Sequence, residues 1–252
     1  MPNVCLLDIE GTVGSISFVH NVLFPYSTER LLGFLREYPI ETELLQEILL
    51  ENERDYSNGE FPKIENPSDP REINAYLQFL TRIDRKFSPL KIIQGRIWKL
   101  GFEIGDLKAE LFEDVPKVIE ACSKKNWKFY IYSSGSVEAQ ILFFQYSIFG
   151  DLTQYISGYF DTEVGAKRDK NSYLTIRKRI NDDFIKQDLV SKSETDNNNS
   201  EFIFLTDIKE EAYAAEEAGW NVAILNRPGN YDQGQHNLQI FDNLFPLLEK
   251  TR

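Results

Sequence analysis

Histidine, cysteine and methionine are nearly missing from this chain of 252 residues, which holds two, two and one of them respectively. With only His20 and His236 present, a multi-histidine metal centre is excluded by count. Cys5 and Cys122 have no metal-ligand spacing between them and fall in segments that read as a strand and a helix, so both are expected as buried thiols in a reducing compartment. No apolar run approaches the ~18 residues of a membrane helix. The start, Met1-Pro2-Asn3, has no basic region of the secretory kind. The expected location is the cytoplasm, which sequence does not separate from the nucleus. Basic residues are also in deficit: Lys and Arg number 28 against 40 Asp and Glu, for a net charge of −12. That balance argues against nucleic acid gripped through its phosphates and against an anionic membrane surface. A small phosphate ester stays open, because net charge fades beyond about 8 Å and a local cation with a lysine can dominate a site.

What is present begins with the apolar run Val4–Leu7, which delivers Asp8 and Glu10 into a turn containing Gly11 and Thr12. On a strand, residues i and i+2 share a side, so the two acids are expected to converge at the carboxyl end of a buried parallel strand, where open α/β sheets bind ligands. For about a hundred residues the apolar spacing is then helical. Leu31–Leu35, Leu44–Leu49, Ile73–Ile83 and Leu90–Trp98 predict four helices, with Asn58-Gly59, Pro62, Pro67 and Pro70 marking an irregular connection. From Asp114 the rhythm alternates. Helices are predicted at Pro116–Lys125, Ser136–Ile148, Asn171–Ile180 and Glu210–Gly219, and strands at Trp127–Tyr132, Phe202–Thr206 and Asn221–Leu225. Helix and strand in alternation signify a parallel sheet, here of four strands. The expected fold is an α/β Rossmann-like core, residues 1–12 and 113–252, with an all-helical cap at 13–112 inserted after the first strand. Asn181–Ser200, polar and rich in asparagine, reads as a surface loop.

Four elements carry chemistry. Asp8 is the candidate nucleophile. Ser133-Ser134-Gly135-Ser136 links a strand to a helix, where hydroxyls and free N–H groups form a phosphate cradle, or where a serine simply caps the helix. Lys167, with Arg168 and Lys170 close by, is the candidate to neutralise charge growing between carboxylate and phosphoryl group. Asp207 ends the apolar run Phe202–Thr206 as Asp8 ends the first strand. Two acids at strand ends suit Mg²⁺, a hard cation that keeps waters, although Asp207 alone also suits a helix cap. Glu210 and Glu211 either hold such waters or favour a helix start.

The motif Asp8-Ile9-Glu10-Gly11-Thr12, followed in order by Ser133, Lys167 and Asp207, resembles the haloacid dehalogenase (HAD) phosphotransferase superfamily. Within it, Leu7–Thr12, Leu23–Tyr26, Gln94–Trp98, Ile131–Gln140, Phe160–Thr162, Phe204–Asp207 and Arg227–Asn230 closely resemble the enolase-phosphatases of methionine salvage, over nearly the whole chain. The resemblance implies a HAD-like core with a helical cap and an enzyme that enolises 2,3-diketo-5-methylthiopentyl-1-phosphate and then hydrolyses the ester to an acireductone. It implies a monomer with one Mg²⁺ per chain. It also implies roles: Asp8 attacks phosphorus, Glu10 is acid/base and lends the metal an oxygen, Asp207 completes the metal site with them, Ser133 and Ser134 bind substrate, and Lys167 holds the phosphate. Val13 and Ala166 depart from the family pattern, where a threonine and a histidine are common. Ala166 leaves no imidazole at that place.

Three rivals remain at this stage. Another HAD phosphatase would keep the four elements without the runs at Leu23–Tyr26 and Gln94–Trp98. A hydrolytic dehalogenase would use Asp8 but needs neither metal nor Glu10. A non-catalytic regulatory protein on the same fold would be free to lose the acids, all of which are present.

Overall fold

Strand β1 (Asn3–Leu7) is apolar and buried from Val4 onward and lies inside the sheet, with a strand paired on each side. The structure, a computed structural model, describes residues 2–187 and 201–249. Its chain separates into two compact units, Met1–Val19 with Lys108–Arg252 and His20–Leu107.

The first unit is built on a six-stranded sheet in the order β3-β2-β1-β4-β5-β6, where β2 is Trp127–Tyr132, β3 Ile156–Phe160, β4 Phe202–Thr206, β5 Asn221–Leu225 and β6 Ile240–Phe241. Every pairing is parallel, as expected of strands joined by helical crossovers. Leu7 lies level with Ile131 on one side and Leu205 on the other, so the carboxyl ends of β2, β1 and β4 form one edge. Alternation turns Val4, Leu6, Tyr130, Tyr132, Phe202 and Phe204 into one cluster with Tyr173, Ile176, Ile180 and Phe184 of α8 (Lys170–Lys186) and with Ala214 and Ala215 of α9 (Lys209–Glu217). Cys5, Leu7, Phe129, Ile131, Ile203 and Leu205 are buried as well, so both faces of the sheet are covered, which is the condition for a parallel sheet in water. Both cysteines are buried free thiols.

Among the described residues, six strands stand where the sequence pattern predicts four. Strand β3 escapes notice because Ser157 is exposed and Gly158 interrupts its apolar run; a Cβ at 158 would come to 3.1 Å from the Tyr130 ring, a tight contact. Strand β6 has two residues, too few for a period. Helix α8 also continues past Ile180 to Lys186, because Phe184 falls four residues beyond Ile180 and enters the core. Residues 181–186 of the expected polar loop are therefore helical, and residues 188–200 lie outside the described residues.

Within the sheet-bearing unit, the two segments that flank residues 20–107 in sequence touch other parts of that unit. The Phe112 N–H donates to the Val13 carbonyl at 3.0 Å, and the Phe18 ring meets that of Phe143 edge-on at 5.9 Å. In sequence, a short helix, α1 (Ile16–Phe18), is followed by a π-helical turn, Val19–Leu23.

The second unit holds α2 (Phe24–Glu37), α3 (Thr42–Ser57), α4 (Pro70–Arg82) and α5 (Ser88–Glu103) around Leu31, Leu35, Leu44, Ile48, Ile73, Leu77 and Ile93. Asn52 of α3 pins the proline-rich connection: its amide donates to the Pro62 carbonyl at 3.0 Å and accepts from the Ile64 N–H at 2.8 Å. Buried Asp55 accepts from the Tyr76 hydroxyl at 2.7 Å and pairs with Arg85 at 3.1 Å. Among the described residues no helix is long and apolar enough to cross a membrane.

A buried ion pair joins residues 113 positions apart in the sheet unit. Arg227, beyond β5, binds both oxygens of Asp114 at 2.8 Å, and Asp114 also accepts the Leu244 N–H at 2.7 Å. Asp114 opens α6 (Asp114–Ser123). Breaking such a pair strands a buried charge, so Asp114→Ala is expected to lower stability by about 3–5 kcal/mol in urea unfolding followed by circular dichroism. A loss below about 1 kcal/mol, the range of an exposed pair, would contradict this.

Candidate active site

The edge where β2, β1 and β4 end gathers the acids. Asp8 lies one residue past β1, buried, with its N–H bonded to the Leu205 carbonyl at 3.0 Å and its Oδ1 accepting the Ile9 N–H at 2.8 Å. Its Oδ2 stands 2.7 Å from the Lys167 Nζ. The same ammonium stands 2.8 Å from Glu211 Oε2, and the Thr206 hydroxyl lies 2.9 Å from that oxygen and 3.3 Å from Asp8 Oδ2. Asp207 follows Thr206 and is buried.

The three cations near position 167 are thus sorted: Lys167 is enclosed, while Arg168 and Lys170 are exposed. Its loop is held by the chain's own hydroxyls, with Tyr132 donating to the Gly165 carbonyl at 2.9 Å, Ser172 to Ala166 at 2.8 Å and Tyr173 to Lys167 at 2.6 Å. Gly165 has φ of +139°, and a Cβ there would collide with the Ser172 hydroxyl, so glycine is required twice over.

At the end of β2 the capping duty belongs to Ser136, whose Oγ accepts the Ala139 N–H at 3.3 Å and starts α7 (Val137–Gln145). Ser133 is buried and Ser134 exposed, neither acting as the cap. The Gln140 amide fixes their loop by donating to the carbonyls of Gly135 at 2.8 Å and Phe160 at 2.9 Å. The cap reading also fails for Asp207, because residue 208 holds the N-cap place of α9 with no side-chain bond. Of the two glutamates that follow, Glu210 is exposed and Glu211 is buried beside Lys167.

Glu10 is not brought beside Asp8 by strand alternation. Strand β1 ends at Leu7, and the chain turns at once: the N–H groups of Val13 and Gly14 both return to the Ile9 carbonyl, at 3.0 and 2.9 Å. Glu10 lies half-buried in that turn. Gly11 has φ of +68°, and a Cβ on it would strike the Asp207 carboxylate. The turn is clamped by residues that sequence reasoning noticed only as a run: the Arg227 Nε donates to the Thr12 carbonyl at 3.0 Å and the Asn230 Nδ2 to Gly11 at 2.8 Å.

Charge in the cluster does not balance. Asp8, Asp207 and Glu211 face the one ammonium of Lys167. Burial, and after it the charge of Asp8, push the Asp207 carboxyl up to about 7, with Lys167 opposing the shift and Glu211 adding to it. Burial and the Asp8 charge raise Glu211 likewise. Burial drives the Lys167 ammonium down, but the charges of Asp8 and Glu211 outweigh it and hold the lysine well above its ordinary value. Among the described residues no three His, Cys, Asp or Glu side chains gather as a ready-made metal site. Hard carboxylate donors in excess of their cation nevertheless fit a small divalent ion that takes one or two carboxylates and keeps its waters.

The chain is 41% identical over 255 residues to the enolase-phosphatase E1 of Leptospira biflexa, a match spanning 94% of this chain and 97% of the relative. It belongs to the enolase-phosphatase E1 family. The relative of the same name from Anopheles gambiae is 38% identical across 94% of this chain and 78% of its own. No family model matches the chain. Among solved structures, the UTR4 protein of Saccharomyces cerevisiae aligns with a TM-score of 0.71 and 30% identity over 97% of this chain and 99% of its own. The HAD-hydrolase YfnB of Bacillus subtilis, solved bound to magnesium, aligns at 0.51 with 13% identity over 100% and 99%, a likeness of fold alone. The α/β HAD core expected from the sequence is the fold found, and the family is one of phosphatases.

The raised Asp207 has a sign that can be tested. Its folded pKa lies above the ordinary ~3.9, so the stability tied to its proton is present below about pH 4 and is lost as pH rises through about 7. In EDTA, Asp207→Asn is expected to melt higher than the parent at pH 8, and the gap is expected to shrink by ~5 °C at pH 5. A gap independent of pH would refute the assignment.

Proposed function

We propose that this chain is a bifunctional enolase-phosphatase of methionine salvage, converting 2,3-diketo-5-methylthiopentyl-1-phosphate through an enol phosphate to 1,2-dihydroxy-5-(methylthio)pent-1-en-3-one and inorganic phosphate. The observation that carries the hydrolytic half is the Asp8 carboxylate at the end of an inner strand, buried and paired with Lys167 at 2.7 Å. Family membership supports the enolase half.

In this reading Asp8 is the nucleophile. One of its oxygens attacks phosphorus, the bond from phosphorus to the ester oxygen breaks, and Glu10 gives that oxygen a proton as it leaves. Water then attacks the aspartyl-phosphate, Glu10 takes the water's proton, and Asp8 is freed with phosphate. The half-burial of Glu10 suits a group that must meet both the ester oxygen and water. Lys167 offsets charge on the phosphoryl oxygens, with Glu211 and Thr206 holding its ammonium in place. Ser133 and Ser134 bind the phosphate from the loop that Gln140 fixes. One Mg²⁺ per chain is the cofactor, with Asp8, Glu10 and Asp207 as the residues that hold it. When bound it screens the repulsion between carboxylate and phosphate. The enzyme works as a monomer in the cytoplasm.

The test is turnover of the diketo phosphate with and without Mg²⁺, following the ultraviolet absorbance of the enol together with phosphate release. A transient enol followed by phosphate, both dependent on Mg²⁺, is expected. Phosphate release with no enol, or activity on unrelated sugar phosphates alone, would remove the enolase half and favour another HAD phosphatase. Asp8→Asn is expected to cut phosphate release by more than about a thousandfold, as loss of a nucleophile does. Turnover near the parent level would contradict covalent catalysis.

A further inference from the structure

Asn230 ends the run Arg227–Asn230 that follows β5, and its amide is oriented without ambiguity. The two hydrogens of Nδ2 go to two carbonyls, Gly11 at 2.8 Å and Leu225 at 2.9 Å. A flipped amide would set an oxygen against both carbonyls. The oxygen is therefore turned the other way, and Oδ1 is buried with no hydrogen-bond partner among the described residues. It also shares a position with Asp207. The Cβ that Gly11 lacks would come to 2.8 Å from Asn230 Oδ1 and to 2.6 Å from the Asp207 Cγ. The amide oxygen and the carboxylate thus lie against the same side of one glycine.

Two acceptors that crowd one place inside a protein need a donor, because a buried oxygen left without one costs roughly 1–3 kcal/mol. The nearest protein donor on Asn230 itself is already committed, as both Nδ2 hydrogens are used. A water carried by a cation supplies such a donor: it binds the metal through its oxygen and directs its hydrogens outward. We propose that Asn230 is the outer partner of the divalent cation, its Oδ1 accepting a hydrogen bond from a water on the ion that Asp207 binds. The inference rests on the cation reading given under the proposed function and goes beyond it, since Asn230 is none of the three residues assigned there as ligands. Asn230 is a positioning residue in this scheme, acting through the water and, by its Nδ2, through the Gly11 turn.

The two ends of the amide can be separated by experiment. Asn230→Ala loses the acceptor and the clamp; Asn230→Asp keeps an oxygen at Oδ1 while losing the clamp. Mg²⁺ is titrated by calorimetry into the parent, Asp207→Asn, Asn230→Ala and Asn230→Asp, each checked for fold by circular dichroism. Asn230→Ser replaces the alanine variant if that fails to fold. The expected result is affinity weakened about 10- to 100-fold in Asn230→Ala or Asn230→Ser, as for outer partners of metal sites, and affinity in Asn230→Asp equal to or tighter than the parent's. Turnover of Asn230→Ala is expected to recover when Mg²⁺ is raised. Parent-like affinity in Asn230→Ala beside weakened affinity in Asp207→Asn would overturn the role of Asn230 alone. Equal weakening in Asn230→Asp and Asn230→Ala, or turnover that no amount of Mg²⁺ restores, would assign the effect to the clamp and also overturn it. A parent that binds no Mg²⁺ would remove the cation reading itself.

Discussion

Three buried carboxyl groups crowded around one ammonium govern the candidate active-site edge. Lys167 stands between Asp8 and Glu211 at 2.7 and 2.8 Å, and Asp207 is left with burial and a neighbouring carboxylate, which push it to about 7. In water such a cluster would disperse. Here it is fixed by β1 and β4, adjacent parallel strands that end level with each other and deliver an acid each. The sheet's hydrophobic core therefore does electrostatic work: apolar burial on both faces holds like charges together against their repulsion. What such a site gains is avidity for positive charge and for a ligand that brings its own cation, which reconciles a net charge of −12 with an anionic substrate class.

The loops at that edge are held by side chains gripping backbone carbonyls rather than by the sheet's own ladder. Tyr132, Ser172 and Tyr173 hold the carbonyls of residues 165 to 167, Gln140 holds those of Gly135 and Phe160, and Arg227 and Asn230 hold those of Thr12 and Gly11. A carbonyl gripped by a donor is satisfied while its segment leaves the regular structure, so each loop keeps a defined path past the strand ends. Both Gly11 and Gly165 follow from this logic. Each occupies a positive-φ position where a Cβ would strike a polar side chain of the neighbouring segment, and the close approach is what brings Asp207 and Ser172 into contact with the loops they serve.

Legibility in the sequence followed the physics of each element. The buried strands β1, β2, β4 and β5 announce themselves because both of their faces must be apolar, and helices α2 to α5 because their stripes repeat at helical spacing. The edge strand β3 does not, since Ser157 and Gly158 erase the contrast between its faces. Phe184 shows the opposite failure: a polar stretch conceals one apolar anchor, and that anchor extends α8. In the site, Asp8 and Asp207 are visible as acids at strand ends, but the choice of Lys167 over Arg168 and Lys170 needed burial, which spacing does not carry. Glu211 was distinguishable from Glu210 only by which side of α9 faces the sheet. The clamps of Arg227, Asn230 and Gln140 were invisible in role, because a side chain that holds a distant carbonyl leaves no local period.

The runs that separate this family from other HAD phosphatases in the helical unit have an architectural meaning within that unit. Leu23–Tyr26 and Gln94–Trp98 meet each other: the Trp98 indole donates to the Leu23 carbonyl at 2.7 Å and lies edge-on to Phe24 at 5.9 Å. Tyr26 lies under the Arg30 guanidinium, 3.7 Å from the ring centre, and so near Gly101 that a Cβ there would come to 2.6 Å from it. Asp106 closes the group, pairing with Arg30 at 2.9 Å and accepting from the Tyr26 hydroxyl at 3.1 Å. The indole bond is made at the residue where the π-helical turn passes into α2. Motifs that mark a substrate class by resemblance can thus earn their place by setting how α2 and α5 join.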